Sequence, residues 1–319
     1  MYAPTTTSEL RRDAYPLLQH LCAPVPMHAR RKVGIVYPTD LASLQAAVAI
    51  ARAQLGVPVL IGPREPIEAL ARTSSLELAA IEIEDTADDP RIAATHACTL
   101  AKEKRVDILM KGGLHTDELM HAVLERDGGL RTRQRVSHTF AIELPGSDAL
   151  LLLSDCAVNI QPDLATKRSI IENAMTVARA AGVAEPRIGI LSATESVLPG
   201  MQSTLDAAAL RTMAARGQIR GARLDGPLAL DNAVSPRSAQ AKKIISDVAG
   251  HADVLIMPNL EAGNILYKSL IYFGGADCAG IVIGARVPVA LTSRAESLLS
   301  RVASVALGLR TLGITASDG

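Results

Sequence analysis

Tryptophan is absent and phenylalanine occurs only twice in 319 residues, so a stacking platform for single-stranded nucleic acid or an aromatic sugar cleft is excluded. The core must be aliphatic. Cysteine is also scarce: Cys22, Cys98, Cys156 and Cys278 lie far apart, with no CxxC and no Cys/His spacing suited to zinc. That pattern excludes a disulfide scaffold and leaves no metal site in view, and it makes the cytoplasm the expected compartment. Neither charge sign is in excess, since 33 Lys+Arg balance 33 Asp+Glu, and no global field draws the chain to nucleic acid or an anionic membrane. Any anion site must be local. No apolar run reaches the ~18 residues of a membrane span. Met1 to His20 carries Glu9, Arg11, Arg12 and Asp13 where a signal peptide needs its apolar stretch. GxxxxGK[ST], GxGxxG, HExxH and GxSxG are missing too, which weakens nucleotide-loop, nicotinamide, zinc-hydrolase and serine-hydrolase readings.

What is present is an apolar, globular composition on a chain long enough for roughly two domains and a cleft between them. Short aliphatic runs alternate from residue 32 onward with longer segments of helical periodicity, the pattern of βα units on a mostly parallel sheet. The fold class is α/β. Strands are predicted at Lys32 to Tyr37, Val57 to Ile61, Asp107 to Met110, Thr139 to Leu144, Leu150 to Leu153, Arg187 to Leu191, Val254 to Met257, Gly280 to Ile283 and Val287 to Ala290. Helices are predicted near Tyr15 to Cys22, Leu41 to Gln54, Arg91 to Glu103, Asp117 to Leu124, Ala165 to Gly182, Ser203 to Arg216, Ser238 to Ala249, Ala262 to Phe273 and Arg294 to about Leu309. A turn at Pro145-Gly146-Ser147 and a restart of the strand pattern mark a domain boundary. Parallel sheets place ligands outside the carboxyl ends of their strands, so chemistry is sought in the loops there.

The strand ending at Met110 runs into Lys111-Gly112-Gly113-Leu114-His115-Thr116 before a helix. Glycines that turn amide hydrogens toward a guest, a helix N-terminus and a lysine make an anion site; the other reading is a βα turn in which Thr116 caps the helix. Arg131, Arg133 and Arg135 alternate just before a strand, so an extended backbone sends all three guanidinium groups to one side. They are either solvated surface arginines or bidentate donors for phosphate oxygens. Ser137, Asp155, Asn159, Asp231, Asn232, Glu261 and Asn264 occupy similar loop or helix-start positions, where polar groups either meet the cleft or satisfy loop amides. Asp225-Gly226-Pro227 reads as a turn, and Ser203-Thr204-Leu205-Asp206 as a helix start. Ser293 with Glu296 three residues on is a capping box for the last helix. A hydroxyl and the adjacent Arg294 beside a cleft would also suit an oxyanion and a phosphate.

Taken together and in order, these blocks resemble the phosphate acetyltransferase and phosphate butyryltransferase family. The runs that carry the resemblance are Met110 to Met120, Arg135 to His138, Ser154 to Ile160, Ser203 to Leu210, Leu224 to Ala233, Leu260 to Asn264 and Thr292 to Arg294. The resemblance implies reversible transfer of a short acyl group, acetyl favoured, between coenzyme A and inorganic phosphate, with coenzyme A as a substrate and no bound cofactor or metal. It implies partners limited to coenzyme A, acyl phosphate and phosphate, and a homodimer. It also implies an isocitrate dehydrogenase-like fold of two doubly wound domains around a cleft, residues 1–146 with 290–319 and residues 147–289, the C-terminal helix folding back onto the first. By the same resemblance Ser293 stabilises the oxyanion and Arg294 holds the phosphate. Lys111, Gly112, His115 and Arg135 are candidate anion contacts, the remaining loop residues named above candidate substrate contacts. Acetyltransferases of the family often carry an aspartate, as base for the thiol, seven residues after the serine. That position is Ser300, which is no carboxylate, so Glu296 is a candidate substitute, or the base lies elsewhere, with Asp231 another candidate. A binding protein without turnover, phosphate butyryltransferase specificity and a decarboxylating dehydrogenase of the same fold are the competing expectations.

Overall fold

The computed structural model of the protein describes residues 14–293 and 296–315. Eleven strands among the described residues form one continuous sheet. The chain first lays down β1 (Lys32–Val36), β2 (Val57–Gly62), β3 (Glu82–Asp85) and β4 (Ile108–Lys111) as parallel neighbours. Next comes β5 (Ser137–Glu143), and then a second parallel set, β6 (Leu151–Ser154), β7 (Arg187–Leu191), β8 (Arg223–Leu228) and β9 (Val254–Ile256). The chain returns through β10 (Asp277–Ile283) and ends its sheet with β11 (Val289–Ala290), which pairs parallel with β4. The spatial order is β3-β2-β1-β4-β11-β10-β5-β6-β9-β7-β8.

Only the middle of this sheet is antiparallel, because β10 runs against both β11 and β5, and β5 against β6. The register has a direct consequence. Met110 pairs with Ala290, Ala290 with Ile281, Ile281 with Thr139, and Thr139 with Ser154, so these five residues lie at one level across the sheet. Ala290 and Ser154 are the last residues of β11 and β6, and Met110 is one short of the end of β4. Strands of the two parallel sets run in opposite directions and finish at the same height. Their carboxyl ends therefore converge on the middle of the β5/β10 ladder, where parallel α/β sheets bind ligands.

The helices, in chain order, are α1 (Pro16–Leu21), α2 (Leu41–Arg52), α3 (Arg64–Thr73), α4 (Pro90–Lys102), α5 (Thr116–Leu124), α6 (Leu164–Ala180), α7 (Gln202–Ala215), α8 (Leu230–Val234), α9 (Pro236–Ala241), α10 (Leu260–Tyr272) and α11 (Leu298–Thr315). On one face a continuous apolar cluster joins α1, α2, α6, α7 and α11 across both parallel sets. The other face is split. One cluster packs α4 and α5 over the first set, with Leu114, Val282 and Leu291; a separate one packs α10 over the second, with Phe140, Cys156 and Tyr267. Between these two clusters a cavity opens.

Several expected elements differ from those observed. β3 and β8 were not expected as strands, and they are the two edges of the sheet. Glu-Ile-Glu-Asp in β3 puts charge on an edge that should not pair further. In β8 the Asp225-Gly226-Pro227 turn signal yields to pairing with β7, since an edge strand tolerates a proline without an N–H. Gly226 is needed there because a Cβ would stand 2.8 Å from the Ile190 carbonyl oxygen. A helix expected over 238–249 is only α9. Lys243 adopts a left-handed conformation at φ 55° and Ile244 donates back to Ala239, which ends the helix, and Ser246 Oγ then takes the amides of Val248 and Ala249 into a turn. The last helix starts at Leu298 rather than Arg294.

Candidate active site

The Lys111 loop closes around the end of β1. Gly112 donates its amide to the Val36 carbonyl at 2.9 Å and Gly113 donates to Tyr37 at 2.7 Å. A Cβ on Gly112 would lie 2.4 Å from the Val36 oxygen, so the glycine is required for close backbone approach. The expectation that these glycines turn their amides toward an anion is therefore corrected for those two bonds. Lys111 is buried, its Nζ donating to the Gly112 carbonyl at 3.1 Å, and it lines the cavity. His115, rather than Thr116, is the N-cap of α5, and its amide donates to Glu118. Its side chain lies along the same cavity wall.

After β6 the chain is gathered by one carboxylate. Asp155, 2% exposed, accepts amides from Ala157 and Val158 on Oδ1 and from Asn159 on Oδ2, at 2.9, 3.1 and 3.0 Å. Asn159 also donates its Nδ2 to Asp155 and to the Val136 carbonyl. The loop thus turns Cys156 and Ala157 to the cavity, and Val158 and Asn159 to a neighbouring cleft of about 570 Å³. That second cleft holds Arg131, Arg133 and Arg135, the three alternate arginines, beside the start of α6. Arg135 itself is exposed, and its field holds Asp163 below the usual carboxylate range alongside the larger effect of Thr166's hydrogen bonds. Ser137 is not in either opening: it is fully buried, with Asn173 of α6 donating to its hydroxyl at 2.7 Å and to the Arg135 carbonyl at 2.8 Å.

From the opposite wall α10 contributes Leu260, Asn264, Tyr267 and Lys268, spaced as one helical face. Gly263 lets this helix approach, because a Cβ there would meet the Asp155 carbonyl at 2.7 Å. Asn264 lines the cavity and donates to the Cys156 carbonyl at 3.4 Å, whereas Glu261 is exposed on the first turn.

The segment after β11 completes the enclosure, a cavity of about 460 Å³ with Leu291, Thr292, Ser293 and Glu296 on its wall. Ser293 is exposed. Arg294 lies outside the described residues. The capping box expected for Ser293 and Glu296 is replaced: Ser297 Oγ accepts the Ser300 amide at 2.9 Å, and α11 begins one residue later. Glu296 is thereby left one residue ahead of the cap. Oε1 accepts from the Tyr267 hydroxyl and Oε2 from Ser300 at 3.2 Å. Burial pushes the Glu296 carboxyl above its ordinary value, and the bonds from Tyr267, Ser293 and Ser300 offset only part of that. Ser300, at the position of the family's aspartate, is fully buried and touches the Glu296 carboxylate rather than the cavity. Cys278 stands 3.6 Å from the Ser300 hydroxyl, and burial keeps its thiol protonated.

Asp231 and Asn232 do not join this group. They lie at the start of α8, past the end of edge strand β8, where Lys242 approaches Asp231 at 3.6 Å and Asn232 donates to Glu195 at 3.1 Å. Lys242 also binds Glu195 at 3.0 Å. The cavity accordingly assembles Lys111, His115, Asn264, Ser293 and Glu296, and the adjacent cleft Arg135 and Asn159. Asp155 and Gly112 shape the loops between them.

Sequence reasoning missed Tyr267 and Phe140, whose rings stack at 3.8 Å and 6° on the cavity wall. Tyr267 had a signal, since it follows Asn264 by three residues on one helix face. Phe140 had none, because which face of β5 meets the cavity depends on register.

Residues 91–308 match the family model described as phosphate acetyl/butaryl transferase. The chain is 48% identical over 273 residues to a phosphate acetyltransferase of Rhizobium meliloti, covering 86% of each. It is 41% identical over 292 residues to a probable phosphate butyryltransferase of Bacillus subtilis (strain 168), covering 92% of this chain and 97% of that one. Among solved structures, a branched-chain phosphotransacylase from Enterococcus faecalis V583 matches with a TM-score of 0.76 at 31% identity, over 88% of this chain and 99% of that one.

Proposed function

Because the chain belongs to the phosphate acetyl/butaryl transferase family, a family of acyltransferases, we propose that it transfers a short acyl group reversibly between coenzyme A and inorganic phosphate. The observation that carries this reading to a particular site is the juxtaposition of Ser293 with a half-buried carboxylate, Glu296, on one wall of the cavity where the strand ends converge.

A thiol near pKa ~8.5 is only a few per cent ionised at pH 7, so attack gains from a base. Glu296 takes the proton of the coenzyme A thiol as the sulfur attacks the carbonyl carbon of the acyl phosphate. The carbonyl π electrons move onto oxygen, where Ser293 donates a hydrogen bond to the oxyanion. As the carbonyl reforms, the bond to the phosphate oxygen breaks, and inorganic phosphate leaves with the electron pair and recovers the proton from Glu296. Arg294 and Lys111 neutralise the phosphate, a task for which a guanidinium fork is well shaped. The phosphates of coenzyme A lie along Arg135 in the arginine-lined cleft, and the loop from Cys156 to Asn159 separates them from the thiol. Asn264 and His115 contact the substrates from the side walls. No metal enters this scheme, and coenzyme A acts as a substrate.

Acetyl is the favoured acyl group in this reading, supported by the 48% identity to a phosphate acetyltransferase. The enzyme is assigned as a cytoplasmic homodimer whose first domain comprises 1–146 with 290–319 and whose second comprises 147–289, meeting along β5 and β10.

The test is direct. Purified protein with coenzyme A is expected to form thioester from acetyl phosphate, and more slowly from butyryl phosphate. Glu296→Gln should lower turnover about 100-fold or more, the usual range for a general base, without lowering the melting temperature. Ligand-dependent stabilisation with no thioester formed would replace the enzyme by a binding protein.

A further inference from the structure

Glu296 is held by hydroxyls from two different helices. Tyr267 on α10 donates its phenol hydrogen to Oε1, and Ser300 on α11 donates to Oε2 at 3.2 Å. A carboxylate offers about four lone-pair sites, so these two bonds and the one from the Ser293 backbone leave it able to accept a further proton. The phenol is itself immobile, being 5% exposed and lying parallel to the Phe140 ring at 3.8 Å. An aromatic arm with two rotatable bonds, clamped against β5, loses little freedom in holding its partner.

Resting on the reading of Glu296 as base, we infer that Tyr267 is its positioning residue: the clamped phenol fixes the carboxylate so that its unoccupied lone pairs face the incoming thiol. The Tyr267–Glu296 bond also joins α10 over the second strand set to the segment that follows β11 in the first. Tyr267 keeps its own proton throughout, since burial raises its pKa far above the working range. Among the described residues, the titratable and charged groups around Glu296 are Tyr267 on α10, Cys278 on β10 and Arg301 on α11, with Lys111, His115 and Lys268 on the other cavity walls.

Tyr267→Phe removes the hydroxyl and keeps the stacked ring. A donor that favours the charged carboxylate is lost, so the acid limb of kcat/KM against pH should move to higher pH, and turnover should fall about tenfold. Ser300→Ala should move the limb in the same direction. In a Glu296→Gln background Tyr267→Phe should cost nothing further, because the phenol acts only through the carboxylate. An unchanged pH profile in Tyr267→Phe, or the same loss in both backgrounds, overturns the positioning role while leaving the base in place. Wild-type turnover in Glu296→Gln removes the base and the positioning role together.

Discussion

A carboxyl whose pKa is raised in the folded state is a statement about stability as well as about chemistry. Glu296 is taken out of water, which favours its neutral form, so its contribution to stability is present at low pH and is lost as pH rises through the raised pKa. In the proposed role of base Glu296 works only when ionised, so activity should run the other way. We expect turnover to fall on acidification at a pH above the ordinary carboxylate value of ~4.3 while the melting temperature does not fall with it. Asp155 serves the loop rather than the cavity. Its two oxygens collect three loop amides, and charged acceptors of that kind contribute on the order of 1.5–3 kcal/mol each, without simple additivity. Asp155→Ala should cost about 3 kcal/mol in chemical denaturation and weaken coenzyme A binding, because the loop between the two openings loses its shape.

Elements decide which serine does what. Ser293 and Ser297 are four residues apart, and only Ser297 caps α11, while also donating to Asp277 at 2.7 Å. Ser297→Ala is expected to cost about 1 kcal/mol of stability, the usual effect of a lost N-cap. With Ser293 in its proposed role of oxyanion donor, Ser293→Ala should leave stability unchanged and lower turnover about 10²- to 10³-fold. The two variants separate capping from catalysis in a melting and rate comparison. At the sheet edges the same logic of position explains β3 and β8, where acidic residues and a proline are admissible because one side of each strand has no partner.

At the scale of the whole molecule, function follows from two sets of strands running in opposite directions and ending at one level. Gly280 lies at that crossing. A Cβ there would come within 2.6 Å of the Leu291 carbonyl and 2.8 Å of the Phe140 ring. His138 also reaches the Leu291 carbonyl, at 3.3 Å, and burial keeps its ring neutral. Gly280→Ala should therefore cost about 1–3 kcal/mol by overpacking and displace the segment that carries Ser293 and Glu296. Thermal melts and thioester assays on that variant are expected to fall together, unlike those on Ser293→Ala.

Aliphatic runs alternating with helical periods were enough to specify an α/β sheet, since both periods report burial directly along the chain. The family blocks likewise pointed from local spelling to Lys111, Asn264 and Ser293, which line one cavity. Edge strands escaped because half of their surroundings is solvent, which relaxes the very pattern by which strands are read. The division of labour among the polar residues also belongs to tertiary structure. Ser137 is sealed by Asn173 and Asp155 is spent on loop amides, whereas Glu296 is drawn from a helix cap into a cavity by Tyr267 and Ser300, partners 29 and 4 residues away. Whether a carboxylate meets a backbone amide or a cavity depends on which distant strands finish beside it, and strand order across a mixed sheet is fixed only when the chain has folded back on itself.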